Sequence, residues 1–461
     1  MISKQALRKL SRILGPEAIS TCRDVLDHYG TDATKLAYSP DAVAFPGHIR
    51  EIADILRLAN HEGFPVVPRG AGSGKSGGAL PVQGGLILAM DRFDRILEID
   101  ESNHIAKVES GVITARLQEE VEKVGLFYPP DPASIHISTI GGNVAECAGG
   151  LRAVKYGVTR DYVLGLTVVL PTGNIIKTGV ETAKGVVGYD LTRLLIGSEG
   201  TLAVIVGVTL RLIPKPVFTR SMMVFFKDPC TTVKAVSEIM RSKVVPTALE
   251  FMDRNCIECV RNEIGLSIPK STGALLLIEL DGDRALTRRE TDTVKEICSQ
   301  MGAIDFQAAS TKKKRERLWE ARRNVSPAVY KLKPDKVSED VVVPRNRMAD
   351  LVSYVNRLSQ KYGLPMPVYG HAGDGNIHVN MMLDKKNPDE LTKVDKAVRE
   401  LFQKVLDMKG TLSGEHGIGI TKAPYLSMEI SKPAQELMIR VKKAFDPNGI
   451  LNPGKIFPQR I

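Results

Sequence analysis

FPVVPRGAGSGKSGGAL, Phe64 to Leu80, is the stretch from which the rest of the chain is read. A short apolar run, Pro65 to Val67, meets Pro68 and Arg69, and five glycines then fall at Gly70, Gly72, Gly74, Gly77 and Gly78. Backbone so poor in side chains can turn sharply and present its N–H groups to an anion, which makes a phosphate cradle the first expectation. Gly74, Lys75 and Ser76 read like the end of a P-loop. That motif places four residues between its outer glycines, and only Ala71, Gly72 and Ser73 separate Gly70 from Gly74. The dinucleotide pattern GxGxxG fits at Gly72, Gly74 and Gly77, but it should open a helix. Here Gly78 and Pro81 lead into GGLILAM, a strand pattern. An ordinary glycine-rich turn is the remaining general reading, and five glycines beside an arginine are unusual for one.

Two further segments lie downstream. From Tyr128 the chain reads YPPDPASIHISTIGGNVAECAGGLRAVKYGVTRDYVLGLTVVLPTG, and from Leu194 it reads LLIGSEGTLAVI. Taken in order and spacing with PRGAGSGKSGGALP, they resemble the flavin-contacting segments of the PCMH-type FAD-binding family that includes vanillyl-alcohol oxidase. The closer likeness is to its group of D-lactate dehydrogenases and glycolate oxidase catalytic subunits. The resemblance implies an α+β protein: a two-subdomain FAD-binding domain over residues 1–216, a substrate and metal domain over 217–425, and a tail, 426–461, that packs back on the flavin domain. It implies cofactor contacts from Pro68, Arg69, Gly70, Ala71, Gly72, Ser73, Gly74, Gly77 and Gly78, then from Pro132, Ser138, Thr139, Gly142, Asn143, Ala148 and Gly150. Val204 is expected on the adenine side and Asn452, in the ending FDPNGILNPGKIF, near the isoalloxazine. Cys147 stands where relatives commonly have asparagine. No histidine falls in the Gly70 to Gly78 loop, where covalently flavinylated relatives attach the cofactor, so the FAD is expected to be non-covalent.

Composition sets the outer limits. A chain of 461 residues is too long for one core and implies two or three domains. Hydrophobic content of 43% with 25% charged residues is that of a globular protein, and no apolar run approaches the ~20 residues of a membrane span. The amphipathic start MISKQALRKLSRIL is read as a first helix. Six cysteines in so long a chain make no disulfide framework, which points to a reducing compartment and so to the cytoplasm, with membrane association only through a partner. Net charge of +10 raises the question of nucleic acid. Its densest basic run, Thr311 to Arg323, carries Glu316 and Glu320 at helical spacing and is read as a solvated helix face. Aromatics are only 5% and do not interleave with it, so no nucleic-acid partner is expected.

Along the chain, HIREIADILRLANHEG (48–63) has helical apolar spacing and ends in glycine. Strands at 86–90 and 104–112 and a helix from Ile113 with Leu117, Val121 and Val124 inward follow. After Pro216 the segments RSMMVFF, ALEFMD and GALLLIEL read as strands between helices. Cys256 and Cys259 form a CxxC on a helix with no second pair to complete a metal site, so they are read as core thiols.

The last third carries the chemistry. VYGHAGDGNIHVN (368–380) sets His371 and His378 on either side of a glycine-rich bend, and strand alternation puts His378 and Asn380 on one face. GTLSGEHGIGITK adds Glu415 and His416. Imidazoles with a carboxylate suit a divalent cation, Zn, Mn or Fe. Both loops resemble those of the D-2-hydroxyacid dehydrogenase group, which implies His371, His378 and Glu415 as metal ligands and His416 as general base. The same likeness makes Arg322 the carboxylate-binding arginine and Ser326 and Asn380 further substrate contacts. A lysine expected nearby is replaced by Ser338, with Lys336 two residues away, which counts against a dicarboxylic substrate. The expected activity is oxidation of a small D-2-hydroxyacid, D-lactate or glycolate, with electrons passing to an electron-transferring flavoprotein, an iron-sulfur subunit or a quinone-linked acceptor. D-2-hydroxyglutarate oxidation, P-loop phosphoryl transfer and a non-enzymatic basic binding protein are the alternatives. The oligomeric state is open, a homodimer included.

Overall fold

The computed structural model describes residues 1–261, 267–309 and 311–458. They form two compact units, Met1–Gly149 with Val158–Lys215 and Glu415–Ile461, and Gly150–Gly157 with Pro216–Gly414. Residues 150–157 therefore group with the second unit and 415–425 with the first.

The first unit opens with the expected helix, Lys4–Leu14, capped by Ser3, whose hydroxyl accepts from the Ala6 N–H. Its apolar side, Ala6 and Leu10, is buried against Ile52, Ile55, Leu56 and Ala59 of helix Ile49–Glu62. Gly63 ends that helix at φ 72, a conformation in which a Cβ would be strained. Strands Val66–Arg69 and Ala42–Ala44 flank Leu86–Ala89 in parallel. Strands buried on both faces need the continuous apolar runs seen in LILA and AVA. Between Arg69 and Leu86 the chain forms no helix, so the element that both the P-loop and the GxGxxG readings require is missing.

A five-stranded antiparallel sheet follows, in the order Ile96–Asp100, Ile105–Glu109, Val204–Arg211, Val163–Val169, Ile175–Gly179. Helix Thr114–Lys123 buries Leu117 and Val121, whereas Val124 lies past its last turn and is exposed. The C-terminal tail joins this unit. Val66 N–H donates to the Ile450 carbonyl and Asn452 N–H to the Val66 carbonyl, both at 2.8 Å, so the tail extends the parallel sheet along the strand that feeds the glycine loop.

The second unit is built on a seven-stranded antiparallel sheet ordered Asp305–Ala309, Phe218–Phe226, Ala274–Gly282, Ala248–Asp253, Val368–His371, Asn376–Leu383, Asp335–Val342. Because side chains alternate, Met223, Phe225, Ala248, Met252, Leu275, Leu277 and Tyr369 share one face. They pack there against Leu318, Trp319, Ala321 and Val325 of helix Lys312–Ala328 and Cys256 and Cys259 of helix Arg254–Val260. The CxxC thiols are thus core residues, and burial pushes Cys256 well above its ordinary pKa.

Candidate active site

The first unit contains an open cleft of about 1280 Å³, mouth included. Its floor is the expected loop: Pro68 through Gly74 and Gly78 line it, facing Pro132, Thr139, Gly142, Asn143 and Ala148. Gly70 and Gly72 there are steric requirements. A Cβ on Gly70 would stand 2.4 Å from Thr139 Oγ1, the atom that caps helix Ile140–Glu146 by accepting from Gly142 N–H. Arg69 is buried with its guanidinium over the Tyr29 ring, and its Nη1 has no hydrogen-bond partner. Burial pushes its pKa down, with Asp32 and Tyr29 pulling it back. An orphaned guanidinium nitrogen beside glycine backbone is a fit for an anionic group.

Other expected contacts sit one layer back. Ser138 shares a hydrogen bond with Thr114 Oγ1, which in turn accepts from Asn143 Nδ2, so it braces a lining residue. Gly77, at φ 78, makes a turn of the loop and does not line the cleft. Asn452 is buried and staples the loop, its Nδ2 donating to the Gly78 and Glu199 carbonyls. Val204 points into the core with Ile52 and Leu56, and strand alternation puts its neighbours Ala203 and Ile205 on the cleft instead. Gly150 belongs to the segment grouped with the second unit. Cys147 takes φ 55 at the end of its helix, a left-handed conformation asparagine tolerates well, and its thiol accepts from Arg160 Nε.

Glu415 and His416 also line the cleft. The loop carrying them is held by a residue the sequence reading passed over. Glu199, 5% exposed, accepts from the N–H groups of Ile418 (2.8 Å) and Gly419 (2.6 Å), while the Ser76 carbonyl accepts from Ile420 N–H at 2.8 Å. Burial raises the Glu199 pKa, opposed by these two N–H groups and the Lys455 ammonium. Burial in turn pushes Lys455 down to about 8 from 10.5, with Glu199 and Asp32 resisting.

Two predictions arise here. Gly70→Ala is expected to displace Thr139 from its cap and lower FAD affinity by about fivefold or more, since an N-cap alone contributes ~1 kcal/mol. Flavin titration of the apoprotein checks this, and unchanged affinity contradicts the steric argument. Lys455, with a folded pKa below its unfolded value, binds fewer protons in the folded state between pH 8 and 10.5. Stability therefore rises with pH across that window. Denaturant unfolding of the apoprotein should show wild type gaining on Lys455→Met by up to about 3 kcal/mol from pH 8 to 10.5; parallel curves contradict the burial.

In the second unit, polar residues gather on the sheet face beneath helix Lys312–Ala328. His371 and His378 have ring centroids 5.2 Å apart, edge to face, with ligand nitrogens within 4.8 Å of each other. Glu250 lies directly across the strand pair from His371 and is fully buried. Its carboxylate meets His371 Nδ1 at 2.7 Å and accepts from Arg322 Nε at 2.7 Å. Arg322 is 8% exposed and stacks over Tyr369 at 4.6 Å, whereas Arg323 is solvated. Asn380 accepts from Ser338 Oγ through its Oδ1, and Lys336 Nζ donates to Ser326 Oγ at 3.0 Å. Lys336 and Ser338, two apart on strand Asp335–Val342, share this face. At the end of the unit, Gly414 N–H is bound by both the carbonyl and the carboxylate of Asp340, the residue paired with His378.

Residues 40–179 match the family model described as an FAD binding domain, and residues 215–456 match that of the FAD linked oxidases, C-terminal domain. The chain belongs to the FAD-linked oxidases. This FAD-linked oxidase is 43% identical to glycolate oxidase subunit GlcD of Bacillus subtilis (strain 168), over 99% of this chain and 97% of that one. It is 37% identical to the D-lactate dehydrogenase of Anaerostipes hadrus, over 90% and 89% of the two chains. Among solved structures it resembles p-cresol methylhydroxylase with substrate bound, at TM-score 0.81 and 18% identity over 98% of this chain and 96% of that one. The 4-ethylphenol oxidase of Gulosibacter chungangensis, as its isoeugenol complex, gives TM-score 0.76 at 20% identity over 100% and 99%. At such identities the solved structures speak to the fold of the oxidase alone. The FAD-binding domain match covers most of the residues that line the cleft.

Proposed function

We propose that this FAD-linked oxidase converts a small D-2-hydroxyacid, D-lactate or glycolate, to the 2-oxoacid, using non-covalent FAD and a divalent cation. The observation that carries the reading is the shared sheet face on which two imidazoles stand beside a buried arginine. A 2-hydroxyacid bears its hydroxyl and carboxylate on adjacent carbons and calls for such a pairing. Both sequence relatives named above carry names of this chemistry.

Pro68 to Gly74, Gly78, Thr139, Gly142, Asn143 and Ala148 would hold FAD, with Arg69 the cation available to an anionic group. His371, His378 and Glu415 would hold the cation; Glu415 follows directly on Gly414, which is bonded to the strand residue opposite His378. When bound, FAD supplies a two-electron acceptor for the C2 hydrogen, and the cation, zinc, manganese or iron, lowers the pKa of a hydroxyl. His416 removes the hydroxyl proton as general base. Arg322 receives the carboxylate, its planar fork suiting a bidentate contact, with Ser326 and Asn380 completing the pocket. An acceptor protein or quinone-linked partner reoxidises the flavin. Among the described residues no helix is long and apolar enough to cross a membrane, and no disulfide joins the cysteines.

A second substrate reading, a hydroxy-dicarboxylate such as D-2-hydroxyglutarate, draws support from Lys336. Although displaced by two positions, it keeps the face of Ser338 and reaches Ser326. Anaerobic mixing with D-lactate, L-lactate, glycolate and D-2-hydroxyglutarate separates these: bleaching by the first and third supports the principal reading, faster bleaching by the last favours the second. A protein that no hydroxyacid bleaches contradicts both.

A further inference from the structure

We propose that Glu250 is a positioning residue that sets metal affinity and substrate affinity together, one carboxylate oxygen fixing His371 and the other fixing Arg322. The inference rests on the metal and substrate reading above and goes beyond it, because Glu250 belongs to neither set. Its place follows from strand pairing: Glu250 stands opposite His371 across two antiparallel strands, fully buried, with two contacts of 2.7 Å to groups 121 and 72 residues away. A buried carboxylate is costly unless it is fully engaged, and charge-assisted bonds at both oxygens meet that cost.

The consequence for His371 is chemical. A carboxylate has no proton to give, so Nδ1 carries the hydrogen and donates it, and a neutral imidazole then presents its lone pair at Nε2. That is the tautomer a cation held through Nε2 requires, with the ring orientation fixed before the ion arrives. The consequence for Arg322 is geometric. Glu250 holds its Nε edge and Tyr369 lies under its face at 4.6 Å, so the guanidinium plane is set in advance of any substrate carboxylate. Glutamine at this position keeps the shape and removes one acceptor, because its NH₂ must face one of the two donors.

The test uses the full-length FAD-loaded protein and its Glu250→Gln variant. Zinc or manganese affinity, by competition with a chromogenic chelator, is expected to weaken about 10- to 100-fold. At saturating metal the KM for D-lactate is expected to rise by about tenfold or more, with a smaller fall in kcat and unchanged flavin content. A variant with lowered thermal stability but wild-type metal affinity and KM overturns the proposal, since that is what a purely structural role produces. Nitrogen-15 spectra of histidine-labelled, metal-free wild type supply a measurement that needs no variant: His371 protonated at Nδ1 supports the proposal, protonation at Nε2 overturns it. Wild type that binds no divalent cation sinks the metal reading and with it half of this proposal. Wild type that binds one no more tightly than Glu250→Gln overturns the proposal alone.

Discussion

His416→Ala is expected to purify as a yellow protein with its full complement of FAD and to reduce that flavin with D-lactate about 10² to 10⁴ times more slowly than wild type, the range a positioned general base supplies. Flavin retention follows from where the binding groups are. The cleft is floored by Pro68 to Gly74 and walled by Thr139 to Ala148, and the loop carrying His416 is held through the backbone N–H groups of Ile418, Gly419 and Ile420. Stopped-flow absorbance gives the bleaching rate and acid extraction gives the flavin content. The substrate dissociation constant from the same traces should move little, because the proton acceptor acts in the transition state. Wild-type bleaching in this variant removes His416 from the chemistry.

The second large effect is expected from the cation. His371→Ala should lose bound metal and slow bleaching by at least about 10³-fold, several kcal/mol of stabilisation of developing negative charge being withdrawn. It also leaves Glu250 as a buried carboxylate with one partner in place of two. Chelator treatment of wild type should reproduce the loss, and Zn²⁺ or Mn²⁺ should restore it in wild type and not in the variant. Elemental analysis and bleaching rate are read on the same samples. Full activity in demetallated protein contradicts the proposed ligand set.

How far these residues could be read from sequence depends on how local their signals are. The glycine loop is legible because it states a steric demand: Gly70 has no room for a Cβ beside Thr139, and no other residue meets that condition. The strands and helices of the second unit follow from apolar periodicity that folding respects. Glu250 left no such trace. In ALEFMD it alternates with hydrophobic residues as an outward-facing glutamate of a half-exposed strand would, and its partners are 72 and 121 residues away. Arg322 was legible only through the resemblance, because on composition alone it sits in a basic run that looks like a solvated helix face, although that helix buries Leu318, Trp319, Ala321, Arg322, Val325 and Ala328. Val204 shows the limit of motif transfer, since the segment was found but a period of two decides which neighbour faces the cleft. Glu199, in the middle of a recognised segment, became visible as a loop anchor only with the backbone N–H groups it accepts in view.

The central claim is that a hydroxyacid's C2 hydrogen leaves to a flavin held in the glycine-lined cleft. Anaerobic single-turnover mixing of the metal-replete protein with D-lactate and with C2-deuterated D-lactate tests it most directly. The account predicts full loss of the oxidised-flavin absorbance, stoichiometric pyruvate, and a several-fold slower reaction with the deuterated acid. A protein that holds both FAD and metal yet keeps its colour in D-lactate, glycolate and D-2-hydroxyglutarate contradicts it.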